Sequence, residues 1–144
     1  MNYSSKDFGA TQAQLRPELP EKLVHRAVER SGKDEAFMRE RRHAVSVVDL
    51  PSRTLSVTIG GLEPGQATSK HRHTYETILY VIEGEGFSTI EDRRVEWREG
   101  DAVYIPVWAW HQHTSTSAGP CRYLACENAP LLQNLGAAIR EETG

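Results

Sequence analysis

From residue 43 onward, the chain is a succession of short segments rich in Val, Ile, Thr, Tyr and Trp, separated by Gly and Pro. Such segments are typical of β-strands, and the Gly and Pro residues between them mark turns. A spacing of roughly 8–12 residues is that of a β-sandwich or a closed barrel. We therefore predict strands at residues 44–50, 53–59, 77–82, 87–90, 94–97, 102–105, 111–115 and 122–127.

The two ends of the chain have a different pattern. Residues 1–20 are mostly polar, and we predict a loosely ordered arm there. Residues 21–42 carry apolar side chains at helical spacing, with a second helix beginning at Asp34. Residues 129–144 again show helical spacing. We therefore divide the chain into a partly helical N-terminal arm at 1–42, a β-barrel at 43–128 and a helical tail at 129–144.

Composition and charge exclude several kinds of partner. The chain has 144 residues, 38% of them hydrophobic, which fits one globular domain. Its 17 basic and 20 acidic residues give a net charge of −3, so we expect neither nucleic acid nor an anionic membrane as a partner. The apolar runs are about five or six residues long, against the roughly 20 of a membrane-spanning helix, and no signal peptide is expected. Cys121 and Cys126, outside C-x-x-C spacing, are expected to be reduced thiols, in keeping with a cytoplasmic protein.

Four of the six histidines lie in two H-x-H pairs. His71 and His73 form the first pair, and His111 and His113 open a predicted strand. Alternate residues of a strand share one face, so the side chains of each pair point the same way, with Cα atoms roughly 6.5–7 Å apart. One pair alone is weak evidence for metal binding. Two pairs in an all-β chain are hard to explain by core packing, because buried imidazoles without an ion or hydrogen bonds cost free energy.

Two longer motifs, each containing one of these pairs, resemble the two motifs of the cupin superfamily. The first comprises Gly65, His71, His73 and Gly84, and the second comprises Gly100, Pro106 and His111. The resemblance covers residues 43–128 and implies an all-β, double-stranded β-helix (jelly-roll) barrel with a helical N-terminal extension. It also implies one metal ion bound by His71, His73 and His111.

The chain departs from the cupin motifs at two positions. Cupins usually carry a glutamate ligand seven residues before the glycine that ends the first motif, and here that position is Thr77. Glu76 lies one residue earlier, on the opposite face of the strand, and would reach the ion only through a β-bulge. We therefore favour a site of three histidines without a carboxylate. In the second motif, Trp108 stands where a glycine is common.

A narrower resemblance is to gentisate 1,2-dioxygenases and to related enzymes that cleave the rings of salicylate and hydroxynaphthoate. It rests on residues 71–74, 81–86 and 106–113. These enzymes also lack the glutamate and bind Fe(II) through three histidines. The resemblance therefore implies one divalent transition metal, Fe(II) first, with Zn, Ni, Mn or Cu as alternatives. Three neutral ligands leave the ion its full charge, which suits an anionic small-molecule substrate that chelates it. Unlike this chain, these enzymes typically carry two cupin domains.

Five further residues are candidates for the substrate pocket or for contacts that orient the ligand imidazoles. His113 shares the face of His111. Trp108 and Trp110 flank the third ligand and either line a pocket for a flat substrate or pack at the barrel mouth. Thr77 and Glu76 complete the group.

Several functions are compatible with these residues. We expect an enzyme, a mononuclear Fe(II) dioxygenase acting on a small aromatic or other chelating organic acid of the gentisate kind. The alternatives are a small-molecule-binding or sensing cupin, a non-oxidative metal-dependent isomerase or lyase, and a metal-free structural barrel. We also expect a homodimer, because a jelly roll has edge strands that need cover. The resemblance to small cupins implies the same oligomeric state.

Overall fold

The structure, a computed structural model, describes residues 5–7, 17 and 19–143. These residues contain a 3₁₀ turn at Ser5–Asp7, three α-helices and ten β-strands. None of these helices is long and apolar enough to cross a membrane. The helices are α1 (Val28–Ser31), α2 (Glu35–Arg41) and α3 (Ala129–Asn134). The strands are β1 (Ala44–Val48), β2 (Ser56–Leu62), β3 (His71–His73), β4 (Thr77–Glu83), β5 (Glu85–Ile90), β6 (Arg93–Arg98), β7 (Ala102–Ile105), β8 (His111–Ser115), β9 (Cys121–Glu127) and β10 (Arg140–Glu142).

The strands form two five-stranded antiparallel sheets. Sheet I has the order β1-β2-β9-β4-β7, and sheet II has the order β10-β3-β8-β5-β6. Most neighbours within a sheet are distant in sequence, as in a jelly roll. The predicted all-β fold class is therefore confirmed. The segments predicted at 102–105 and 111–115 coincide with β7 and β8.

The core lies between the two sheets. Along β4, Leu79 and Val81 are buried whereas Ile78 and Tyr80 are exposed, so alternate side chains of this strand point inward. Burial of apolar side chains at about 25 cal/mol per Å² is the main force that holds the sheets together. The buried cluster consists of Leu62, Leu79, Val81, Trp97, Val103, Ile105, Cys121 and Tyr123.

Gly84 connects β4 to β5 in a conformation that requires glycine. Its φ is +91°, in the left-handed region that side chains disfavour. A Cβ atom at this position would lie 2.6 Å from Ser117 Oγ. The glycine that ends the first motif is thus fixed by the geometry of the turn.

The N-terminal segment is less helical than the periodicity predicts. The helix predicted at Asp34 is present, and its cap is formed by the Phe37 N–H, which donates to Asp34 Oδ1 at 3.1 Å. Residues 21–26 form no helix, and Leu23 and Val24 are 69% and 59% exposed, so within the described residues no tertiary packing stabilises a helix there. The predicted arm at 1–20 lies largely outside the described residues.

The helical prediction for 129–144 holds only for α3 and is wrong beyond it. Gly136, with φ +71°, follows the helix, and the chain then runs back along β3 as β10. The Thr74 hydroxyl donates to the Ala137 carbonyl at 2.7 Å and the Thr74 N–H to the Ile139 carbonyl at 3.0 Å. The sequence Arg-Glu-Glu has no alternation of apolar residues, so the usual strand pattern is absent. Hydrogen bonds to residues distant in sequence therefore determine that this segment is a strand, and they place it at the edge of sheet II.

Candidate metal centre

β3 and β8 bring the three predicted ligands together. β3 has three residues, and His71 and His73 lie at its two ends on the same face. His111 is the first residue of β8 and lies opposite His71 in the antiparallel pair. The loop before β8 is attached to β3, since the Trp108 N–H donates to the His73 carbonyl at 2.8 Å. Two adjacent strands and one loop thus define the site.

A backbone carbonyl two residues away holds each of the three imidazoles through its Nδ1 atom. The Nδ1–oxygen distances are 2.9 Å from His71 to Ser69, 2.8 Å from His73 to Tyr75 and 2.9 Å from His111 to Ala109. A carbonyl oxygen only accepts, so each Nδ1 carries the proton and each Nε2 keeps a lone pair. The donor atoms of the three histidines lie within 4.8 Å of one another. Three imidazoles of one tautomer therefore face the same small volume.

Burial keeps these imidazoles neutral. It lowers the pKa of His71 to about 2 and the pKa of His111 to about 4, and it also lowers the pKa of His73. The neighbouring imidazoles and Arg140 disfavour a further positive charge on His71. Neutral imidazole is the form that binds metal, and it suits Fe, Zn, Cu and Ni. The donor set therefore fits a divalent transition metal at neutral pH.

A cavity of about 110 Å³ adjoins the three histidines. This volume is well below the roughly 300–1,000 Å³ of pockets that take drug-sized ligands. Two arginines contribute to its wall, Arg41 from α2 and Arg140 from β10, together with the aromatic rings of Phe37, Tyr75 and Tyr123. The wall also contains one acidic residue, Glu127, so the arginines leave it with an excess of positive charge. A small, anionic, flat ligand matches this size, charge and aromatic lining.

His113 lies in a buried polar network beside the three histidines. Ser88 Oγ lies 2.7 Å from His113 Nδ1 and accepts a hydrogen bond of 2.9 Å from Trp97 Nε1. The His113 N–H donates to Thr68 Oγ1 at 3.0 Å. The His113 ring centroid is 5.6 Å from that of His111, and His113 also lines the cavity. The second H-x-H pair therefore places one imidazole in the three-histidine cluster and the other beside it, in the buried network.

Comparison with known proteins identifies the family. Residues 59–127 match the cupin domain model. Over 99 residues, the chain is 30% identical to an uncharacterised protein of Methanocaldococcus jannaschii, a match that covers 68% of this chain and 77% of that protein. The chain belongs to the cupin superfamily. The resemblance inferred from the two motifs is thereby confirmed.

This cupin is also similar to ring-cleaving dioxygenases. It is 31% identical over 83 residues to a 5-aminosalicylate 1,2-dioxygenase of a Comamonas species. It is 33% identical over 89 residues to a gentisate 1,2-dioxygenase of a Streptomyces species. The matches cover 58% and 61% of this chain, which spans only 22% and 25% of the length of those two enzymes. The gentisate adduct of salicylate 1,2-dioxygenase from Pseudoaminobacter salicylatoxidans shares the fold, with a TM-score of 0.72 at 17% identity over 100% of this chain and 45% of that one.

Trp108 and Trp110 are not part of the cavity wall. The Arg72 guanidinium carbon lies 4.2 Å from the Trp108 ring centroid and 4.5 Å from that of Trp110. Arg72 also donates two hydrogen bonds to Glu141. Because Arg72 alternates with the two inward histidines of β3, this cluster lies on the outer side of the strand. Both rings therefore pack on Arg72 outside the cavity that contains the histidines.

Thr77 and Glu76 point to opposite sides of sheet I. Thr77 is buried and lines the cavity. Glu76 is exposed, and its Oε1 accepts a hydrogen bond of 3.2 Å from the Tyr104 hydroxyl. The prediction of Glu76 as a pocket residue is wrong. The register of β4 with β9 is regular from Thr77 to Val81, and Glu76 lies just before this strand.

Most of the cavity wall was not predicted from the sequence, and its polar members include Arg41, Tyr75, Glu127 and Arg140. One signal for Glu127 was available, because it follows Tyr123 and Ala125 at alternate positions of a predicted strand and so shares their inward face. Arg140 had no comparable signal, since it reaches the site through the unpredicted β10.

Proposed function

We propose that this cupin is a mononuclear Fe(II) dioxygenase that acts on a small aromatic or other chelating organic acid. The observation that carries the proposal is the convergence of three neutral imidazole donors on a cavity bordered by two arginines. The similarity to gentisate and 5-aminosalicylate 1,2-dioxygenases supports the choice of reaction.

His71, His73 and His111 would hold the metal. An Fe(II) ion bound there supplies open coordination positions and the redox chemistry that O₂ requires. The protein contributes fixed imidazole orientations through the three Nδ1 hydrogen bonds. It also limits access of water, since the side chains of His73 and His111 are almost completely buried.

Arg41 and Arg140 favour a substrate with a carboxylate. Both line the cavity that contains the histidines, Arg41 from α2 and Arg140 from β10. A guanidinium binds a carboxylate through charge-assisted hydrogen bonds and so fixes its orientation. The cavity volume of about 110 Å³ favours a single aromatic ring over a larger ligand. Hydroxybenzoates of the gentisate kind combine all of these properties.

The test starts from metal analysis of freshly purified protein and continues with anaerobic reconstitution with Fe(II). O₂ consumption is then followed with gentisate, salicylate and 5-aminosalicylate, alongside the loss of ring absorbance. We expect uptake of one O₂ per ring opened, only with Fe(II) and substrate present. The His71→Ala variant, treated in the same way, should show neither bound metal nor O₂ uptake.

Other outcomes would contradict the dioxygenase and select another function. Turnover under strict anaerobiosis, sustained by Zn or Mn, would indicate an isomerase or lyase. Tight binding of an organic acid without turnover would indicate a binding or sensing cupin. Protein that takes up no metal would indicate a structural barrel.

A further inference from the structure

We infer that Glu127 is a fourth, carboxylate donor of the metal site, held in place by Thr77. The inference rests on the metal binding that the proposed function requires. Other cupins usually carry their glutamate on the strand that corresponds to β4. Glu127 lies instead on β9, the strand next to β4 in sheet I.

Thr77 and Glu127 form a cross-strand pair between β4 and β9. They lie directly opposite each other in the antiparallel register, so both side chains project from the same face of sheet I. The Thr77 hydroxyl donates to Glu127 Oε2 at 2.6 Å. Position 77 thus lacks a carboxylate of its own and binds one from the neighbouring strand.

The bound carboxylate faces a metal ligand. Glu127 Oε2 lies 3.7 Å from His73 Nε2, and both residues line the cavity. His73 Nδ1 carries a proton because it donates to the Tyr75 carbonyl at 2.8 Å, which leaves a lone pair on Nε2. A lone pair and a carboxylate oxygen therefore face each other across a gap. A cation between them satisfies both, whereas two acceptors alone repel.

The hydroxyl of Thr77 leaves Glu127 able to bind an ion. A carboxylate accepts at about four lone-pair positions, so one hydrogen bond from a hydroxyl occupies only part of its capacity. Thr77 fixes the direction of the group, as partners of metal-bound carboxylates commonly do. A carboxylate donor reduces the charge of a site holding a divalent ion from +2 to +1.

The experiment measures metal affinity rather than turnover. Zn²⁺ dissociation constants are obtained by competition with a chromophoric chelator, for the parent protein and for the Glu127→Gln, Thr77→Val and Glu96→Gln variants. Glu96 is an exposed carboxylate on β6 and serves as the matched control. We expect Glu127→Gln to weaken Zn²⁺ binding at least about tenfold, Thr77→Val to weaken it less, and Glu96→Gln to leave it within about twofold.

A carboxylate swap tests the geometry. The double variant Thr77→Glu with Glu127→Thr moves the carboxylate from β9 to β4 and should regain most of the affinity that Glu127→Gln loses. Urea unfolding of the metal-free proteins separates the two possible roles of Glu127, because a merely structural role lowers stability without changing the Zn²⁺ constant of the folded protein.

The inference and the proposed function fail in different ways. Loss of Zn²⁺ binding in His71→Ala, with unchanged affinity in both Glu127→Gln and Thr77→Val, overturns the inference and leaves the three-histidine site intact. A parent protein that binds no Zn²⁺ and no Fe(II) overturns both.

Discussion

The backbone N–H of Trp108 donates to the carbonyl oxygen of His73 at 2.8 Å, so the loop before His111 is attached to β3. Trp108 has a φ of 63°, in the left-handed region where a side chain costs roughly 1–2 kcal/mol. Its ring packs on the Arg72 guanidinium at 4.2 Å, a contact worth roughly 0.5–2 kcal/mol. The side chain thus offsets a strain that glycine, common at this position in cupins, does not have.

Two substitutions of Trp108 separate the strain from the packing. Trp108→Gly and Trp108→Ala both remove the ring and its contact with Arg72, but only glycine relieves the left-handed backbone. We expect the glycine variant to be more stable than the alanine variant by about 1 kcal/mol in urea unfolding. Equal stabilities, or a less stable glycine variant, would show that the backbone strain is unimportant.

Ser88 is central to the buried network around His113. The variant Ser88→Ala leaves Trp97 Nε1 and His113 Nδ1 without the hydroxyl that they now share. Because a buried unsatisfied polar group costs roughly 1–3 kcal/mol, we expect a loss of about 2 kcal/mol in the free energy of unfolding. Thr89→Ala, on the adjacent position of β5, is the control and should change stability much less. A Ser88→Ala protein as stable as the control would mean that water or a rotamer change replaces the hydroxyl.

His113 should make the metal-free protein sensitive to acid. Burial, followed by the proximity of His111, lowers the pKa of His113 to about 3. The ordinary value near 6.5 applies to the unfolded chain. Between these values the unfolded chain binds a proton that the folded protein does not, so stability falls as the pH falls from about 6.5 toward 3. Each such histidine contributes a slope of about 1.4 kcal/mol per pH unit within this window.

The His113→Gln variant isolates this contribution. Free energies of unfolding are measured in urea between pH 7.5 and 4, in the presence of a chelator. We expect the variant to lose stability with acid less steeply than the parent, by about 1.4 kcal/mol per pH unit, whatever its stability at pH 7.5. Parallel curves for the two proteins would assign the acid sensitivity to other groups.

Arg140 should contribute to substrate affinity. The Arg140→Gln variant removes a guanidinium from the cavity wall while preserving hydrogen-bonding capacity. We expect the metal-loaded variant to bind gentisate or salicylate roughly tenfold more weakly, equivalent to about 1.4 kcal/mol. Arg93→Gln, an exposed arginine of β6, is the control. An unchanged dissociation constant for Arg140→Gln would place the carboxylate elsewhere, with Arg41 as the next candidate.

Much of the barrel could be predicted from the sequence because its signals are local. Strand alternation and Gly or Pro at the turns depend on residues close in the chain, and β7 and β8 were predicted to the residue. The shared face within each H-x-H pair is a local signal of the same kind, whereas the convergence of His71, His73 and His111 was implied by the resemblance to cupins.

The remaining features depend on contacts between distant parts of the chain. β10 exists because Thr74 and β3 bind it, and its own three charged residues carry no strand pattern. The position of Glu76 in the first motif predicted a pocket residue, although its side chain lies outside the barrel. Glu127 lies 50 residues from Thr77, and no motif spacing connects the two. Only the register of β4 with β9 reveals this pair.

The pairing of β10 with β3 also bears on the solubility of the barrel. Without it, the short strand that carries His71 and His73 would expose a row of backbone N–H and C=O groups, which is a template for pairing with another chain. The tail moves that exposed edge outward to three residues, Arg140, Glu141 and Glu142, all of them charged. Short, charged edges discourage further strand addition. β10, which carries Arg140 to the cavity, thus also protects β3 from aggregation through its edge.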